Sequence, residues 1–181
     1  MRAVALLVVV ALASTAAAEG KQTAWFDAAR EGNVAALKAA AGKRPAAVID
    51  TVDASGYSAL ILAAYHDGDA AVAWLVARGA NTCVADKRGY TALMGAVFRG
   101  HDRIVDRLAK LPCGADHVTA SGQTPLMLAA LFGRADAVTK LLAAGADPTR
   151  ADANGFTARS LASGQSNDEI VALLDRALAK K

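Results

Sequence analysis

Two cysteines and three histidines are the side chains in this chain with the widest chemistry open to them. Cys83 and Cys113 form an even pair, which permits one disulfide. His66, His101 and His117 could serve as bases or metal ligands. A zinc site needs several such groups converging, and these histidines stand far apart with no carboxylate or cysteine at ligand spacing beside them. The chain also has no nucleophile elbow, phosphate loop or Cys-x-x-Cys pair. A Ser/His/Asp triad could be assembled from any chain, and nothing here singles one out. The expectation is a protein with no catalytic residue, no metal and no cofactor. The reading kept against it is a redox-active or metal-dependent enzyme built on Cys83, Cys113 and the histidines.

The N-terminus bears on which cysteine chemistry is open. Arg2 gives a positive start, Val4 to Leu12 is an unbroken apolar run of nine residues, and Ala16-Ala17-Ala18 precedes Glu19. This is the pattern of a secretory signal peptide cleaved after Ala18, and the run is too short to span a bilayer. The alternative is a retained N-terminal anchor. The expected location is periplasmic or secreted, with no membrane attachment after cleavage, and the expected setting for the cysteines is oxidising. The formal net charge is +3 and falls by one when Arg2 leaves. Such a balance excludes the strong salt-dependent attraction of a nucleic-acid binder.

The organisation comes from a repeat. Gly56, Gly89, Gly122 and Gly155 recur every 33 residues, each followed two positions later by Ser58, Thr91, Thr124 or Thr157. A fixed period of this length means one supersecondary unit copied in tandem. The Asp-x-x-Gly stretch before each hydroxyl residue is turn chemistry, with Gly supplying a positive φ. The Ser or Thr can cap a helix through its side-chain oxygen. Pro125 falls at a first helical position, where a missing N–H costs nothing. A short apolar helix follows, broken by Gly100 and Gly133, or at the same place by Asp67, which tolerates the left-handed region. Second helices are predicted over Asp69–Ala77, Asp102–Lys110 and Ala135–Ala143, where apolar residues fall at helical spacing. Gly79-Ala-Asn and Gly145-Ala-Asp-Pro close their units. A degenerate copy from Thr23 precedes these, and a final helix is predicted from Asn167 to Ala179, with Ser166 and Glu169 as a capping-box pair. Lys38, Lys43 and Arg44 at one end, and Glu169, Asp175, Arg176 and Lys180 at the other, give the terminal units polar outer faces.

The Asp-x-x-Gly-x-Thr-Pro-Leu pattern, the paired alanines, the Gly before the second helix and the closing Gly-Ala-Asp resemble the ankyrin repeat over nearly the whole chain beyond residue 18. The resemblance implies an all-α solenoid of about five helix-turn-helix repeats with short β-turn fingers, over 23–50, 51–85, 86–118, 119–151 and 152–181. One departure is that Ile61, Met94, Met127 and Ser160 stand where the family has His after Thr-Pro-Leu. Apolar packing by Ile and Met is expected in its place. The resemblance further implies a concave face of finger tips and inner helices that binds another protein. The matching positions here are Ala54, Ser55, Ala120, Ser121 and Ala153 and, with the larger side chains expected to make the contacts, Tyr57, Tyr65, His66, Lys87, Arg88, Tyr90, Phe98, Arg99, Gln123, Leu131, Phe132, Asn154 and Phe156. They hold six of the nine aromatic side chains, and aromatics with Arg dominate protein–protein hot spots. The competing reading is that these rings pack over neighbouring repeats and shield the core. Adjacent fingers of such a solenoid stack side by side, so a Cys83–Cys113 bridge between neighbouring repeats is feasible; two free thiols are the alternative. The expected function is a monomeric, non-enzymatic protein-binding module. A stress-defence accessory, a toxin-neutralising partner and a secreted effector are the narrower variants.

Overall fold

The computed structural model describes residue 20 and residues 22–43 and 45–179. The leader expected over 1–18 lies outside them, as do Arg44 and Lys180. Ten helices stand among the described residues. They are α1 (22–30), α2 (Val34–Ala41), α3 (Ala59–Tyr65), α4 (Asp69–Ala77), α5 (Ala92–Arg99), α6 (Asp102–Leu108), α7 (Pro125–Leu131), α8 (Ala135–Ala143), α9 (Ala158–Gly164) and α10 (Asp168–Leu178). They pair in sequence as five hairpins. α3, α5, α7 and α9 lie side by side as an inner row, and α4, α6, α8 and α10 form the outer row against them.

The fingers follow from turn chemistry. Asp53 Oδ1 accepts hydrogen bonds from the Ser55 and Tyr57 amides at 2.9 and 3.0 Å. Asp86 and Asp152 hold their turns in the same way. Thr119 substitutes its hydroxyl, which accepts from the Gln123 amide. The four period glycines all take positive φ, between 78° and 88°. At Gly56 a side chain would be excluded twice over, because an added Cβ would also come within 3.2 Å of the Lys87 amide nitrogen in the next finger.

Each hairpin turns through one left-handed residue: Gly32, Asp67, Gly100, Gly133 and Ser166. Asp67 takes φ 63°, as its sequence position implied. Ser166 belongs to the same series, and this corrects the capping-box expectation. Its left-handed backbone places it before the cap, and Asn167 caps α10 by accepting from the Ile170 amide. The capping box falls instead at α9, between Thr157 and Ser160. α6 also ends earlier than Lys110, at Leu108. Leu111 precedes Pro112, and a residue before proline is disfavoured in the helical region.

The core runs the length of the solenoid. Ile61, Met94 and Met127 are all buried, replacing polar contacts by packing as expected, while Ser160 stays exposed and serves the α9 cap. Neighbouring repeats are also tied by polar contacts in register. Arg107 donates to Asp69 at 3.0 and 3.2 Å, and Lys140 sits 3.5 Å from Asp102, each linking adjacent outer helices. His101 Nε2 lies 3.0 Å from the Tyr65 carbonyl oxygen, and Arg134, one repeat on, donates to the Phe98 carbonyl at 3.1 Å.

Candidate functional site

The inner helices and the fingers enclose a groove of about 660 Å³. The repeat dictates which side chains reach it. One register position, the last turn of each inner helix, carries Arg30, Tyr65, Phe98 and Leu131 in successive units, and all four line the groove. The next position adds His66 and Phe132. The rings form a continuous row. Tyr65 stacks on Phe98 with centroids 6.2 Å apart and planes 13° from parallel. Phe98 meets Phe132 edge to face at 4.7 Å. His66 and Tyr65 meet in a T-shaped pair with centroids 5.3 Å apart. Phe98 and Phe132 remain 40% exposed, although apolar side chains of this size are usually buried.

The fingers supply the other wall. Tyr90 donates its hydroxyl to Gln123 Oε1 at 2.9 Å, tying two neighbouring fingers. The Arg88 guanidinium rests over the Tyr90 ring at 5.1 Å. Tyr57 also lines this wall.

Of the thirteen larger side chains expected to make contacts on the concave face, nine line this groove: Tyr57, Tyr65, His66, Arg88, Tyr90, Phe98, Gln123, Leu131 and Phe132. Four do not. Lys87 spends its ammonium on the Ala54 carbonyl oxygen at 2.7 Å, bracing two fingers. Arg99 lies just beyond, over the Tyr65 ring at 5.1 Å. Asn154 belongs to the last finger's turn, and Phe156 projects from that finger 49% exposed. Sequence reasoning missed Arg30, which donates to Asp27 and Asp53 at 2.7 and 3.1 Å. Its register with Tyr65 was the signal that could have found it. Gly95 was also missed. It occupies the groove floor between Leu62 and Leu128, the residues at the same register in α3 and α7.

The cysteines lie away from this groove. Cys83 and Cys113 are joined in a disulfide, with Cα atoms 5.0 Å apart, between consecutive repeats. The three histidines each have a partner that is not a ligand set: His66 the Tyr65 ring, His101 the Tyr65 carbonyl, and His117 the Gly89 carbonyl at 2.9 Å. Among the described residues no group of three or more His, Cys, Asp or Glu could hold a metal ion, and no helix is long and apolar enough to cross a membrane.

Tandem helix hairpins with projecting turns and an inner groove define a repeat solenoid of the kind that presents a binding surface. Residues 25–117, 67–152 and 93–179 match the family of ankyrin repeats in three overlapping copies, and the chain belongs to that family. No curated protein matches it. Ankyrin-repeat domains are in general non-enzymatic modules that mediate protein–protein binding.

Proposed function

We propose that this chain is an exported, monomeric protein-binding module that holds a partner protein in the groove between its fingers and inner helices. The observation that carries the reading is the row Tyr65, Phe98 and Phe132, which spans three repeats and is stacked ring on ring while still partly open to solvent. Rings needed only to cover the core would be buried by it. These sit above a core already closed by Ile61, Met94 and Met127. Aromatic side chains held in place by their neighbours lose little freedom on binding, which suits them as anchors. Export is supported by the leader pattern of residues 1–18 and by the Cys83–Cys113 disulfide, since such bonds persist in oxidising compartments.

The test is a pull-down from periplasmic extract of the native cell with the purified chain and its Tyr90→Ala/Phe98→Ala variant. The chain retains a discrete partner and the variant loses it, with helical circular dichroism equal in both. A partner held equally by both would remove the groove from the function.

A further inference from the structure

The reading of the groove as a binding site can be taken one step further, to the chemistry of what it binds, and the step rests on that reading. The acids of the groove are already spent. Asp53 accepts two backbone amides on one oxygen and Arg30 on the other. Asp86 accepts the Arg88 and Tyr90 amides, is 8% exposed, and has its second oxygen 3.6 Å from Arg88 Nε. Arg30 is equally committed, to Asp27 and Asp53. Two cations keep donors to spare. Arg88 is 72% exposed in its side chain and keeps its terminal guanidinium nitrogens without a hydrogen bond among the described residues. Arg99 is exposed, lies over the Tyr65 ring, and has no ion pair among the described residues. Their positions in the chain put them at opposite ends of α5, one in the finger before it and the other its last residue.

Between them the groove floor is notched. The fourth residue of the inner helix is Leu62 in α3, Leu128 in α7 and Leu161 in α9, but Gly95 in α5. A glycine inside a helix is destabilising relative to alanine. No close approach of backbone requires it here, because an added Cβ would meet only Tyr65 side-chain atoms, at 3.8 Å. The missing side chain opens the floor beside Tyr65 and under the ring row.

We infer that the groove takes an acidic, extended peptide segment of the partner laid along α5, with one apolar or aromatic side chain seated over Gly95 and carboxylates at Arg88 and Arg99. The eight residues of α5 rise about 12 Å, which is about four residues of extended chain, and Arg88 stands four residues before the helix, so the segment that meets both guanidinium groups is longer than four residues. The cation over each ring stays on that ring's face while it donates to the carboxylate.

The test uses the full chain with its disulfide intact, immobilised and panned against a random 12-residue peptide library displayed on phage. The recovered peptides concentrate Asp and Glu around a single aromatic, Leu or Met. A recovered peptide binds at least tenfold more weakly to Arg88→Gln/Arg99→Gln and to Gly95→Leu, and its affinity falls as salt rises. Gly95→Leu melts no lower than the parent chain, so its loss of binding is not a loss of fold; if it does melt lower, the arginine double variant decides alone. A pool without acidic enrichment, a basic pool, or no pool at all overturns the inference. So does a peptide whose affinity ignores the arginine variant. If that peptide is still lost from Tyr90→Ala/Phe98→Ala, the groove remains a binding site for a segment of other chemistry. If it is lost from none of these variants, the groove reading falls as well.

Discussion

Thr91 and Thr124 occupy the same place in successive repeats and do different things. Thr124 caps α7 by accepting from the Met127 amide at 3.2 Å. Thr91 begins α5 with the same extended backbone, yet its hydroxyl makes no capping bond and is buried without a partner among the described residues. A buried unpaired hydroxyl is a liability, whereas a capping hydroxyl is worth about 1 kcal/mol. Thr124→Val should therefore destabilise the chain by about 1 kcal/mol. Thr91→Val should cost nothing, or stabilise by a few tenths of a kcal/mol. Urea unfolding of the two variants separates the cases; equal losses would mean that Thr91 caps after all. Nothing in the repeat pattern distinguishes the two threonines. The turn residues, by contrast, were legible one by one. Asp53, Asp86, Asp152 and the glycines after them act through atoms at most four residues away.

At the scale of elements, the irregular end of the third unit shows how much a short segment can decide. After α6 stops at Leu108, the chain must turn within a few residues to bring Cys113 to Cys83. Gly114 makes that possible, because an added Cβ would lie 2.3 Å from the Ala109 carbonyl oxygen and 2.7 Å from that of Leu111. Both obstacles are backbone and cannot swing aside. Gly114→Ala should lower stability by about 1–3 kcal/mol in thermal or urea unfolding. A variant as stable as the parent would show that the turn can relax. The last hairpin offers a milder case. Arg159 of α9 grips Asp175 of α10 through both carboxylate oxygens. The hydrogen bond from Arg159 holds the Asp175 carboxyl below the usual aspartate range. A depressed folded-state pKa contributes stability above the ordinary aspartate pKa, and that contribution is lost as pH falls through the folded value. The pair is exposed, so the effect is small and screened by salt. Asp175→Asn should melt slightly below the parent at pH 7, and the two should converge in acid once the parent's carboxyl is protonated. A gap that persists there would assign the difference to packing. The helices and their order were readable from apolar spacing and breakers. The α6 boundary and the α10 cap were not, because both depend on how the following turn is held.

Across the whole molecule, each repeat touches mainly its neighbours, so any bond between repeats works on the stack as a unit. The disulfide is the one covalent link among the described residues, and it joins the second repeat to the third across 30 residues. Loop closure of that length is worth about 3–4 kcal/mol in the chain-entropy picture. Cys83→Ser/Cys113→Ser should therefore lower the melting temperature by roughly 10 °C, and reduction of the parent should do the same. An unchanged midpoint would make the bond a bystander.

The 33-residue unit, its turn and the number of hairpins were written in the sequence alone, because each depends on backbone preferences and hydrogen bonds that act over a few residues and then recur. Even the replacement of polar contacts by Ile61, Met94 and Met127 followed from residue type at a known register. What the tertiary structure alone decided is which side chains meet across repeats. Tyr65 stacks on Phe98 and Phe98 meets Phe132 edge to face, Arg30 pairs with Asp53, and the floor is notched at Gly95. These pairs stand more than twenty residues apart, or rest on an absent side chain whose meaning appears only when its neighbours close around the gap. A local pattern carries no record of such meetings, since they are set by how tightly the stacked hairpins pack.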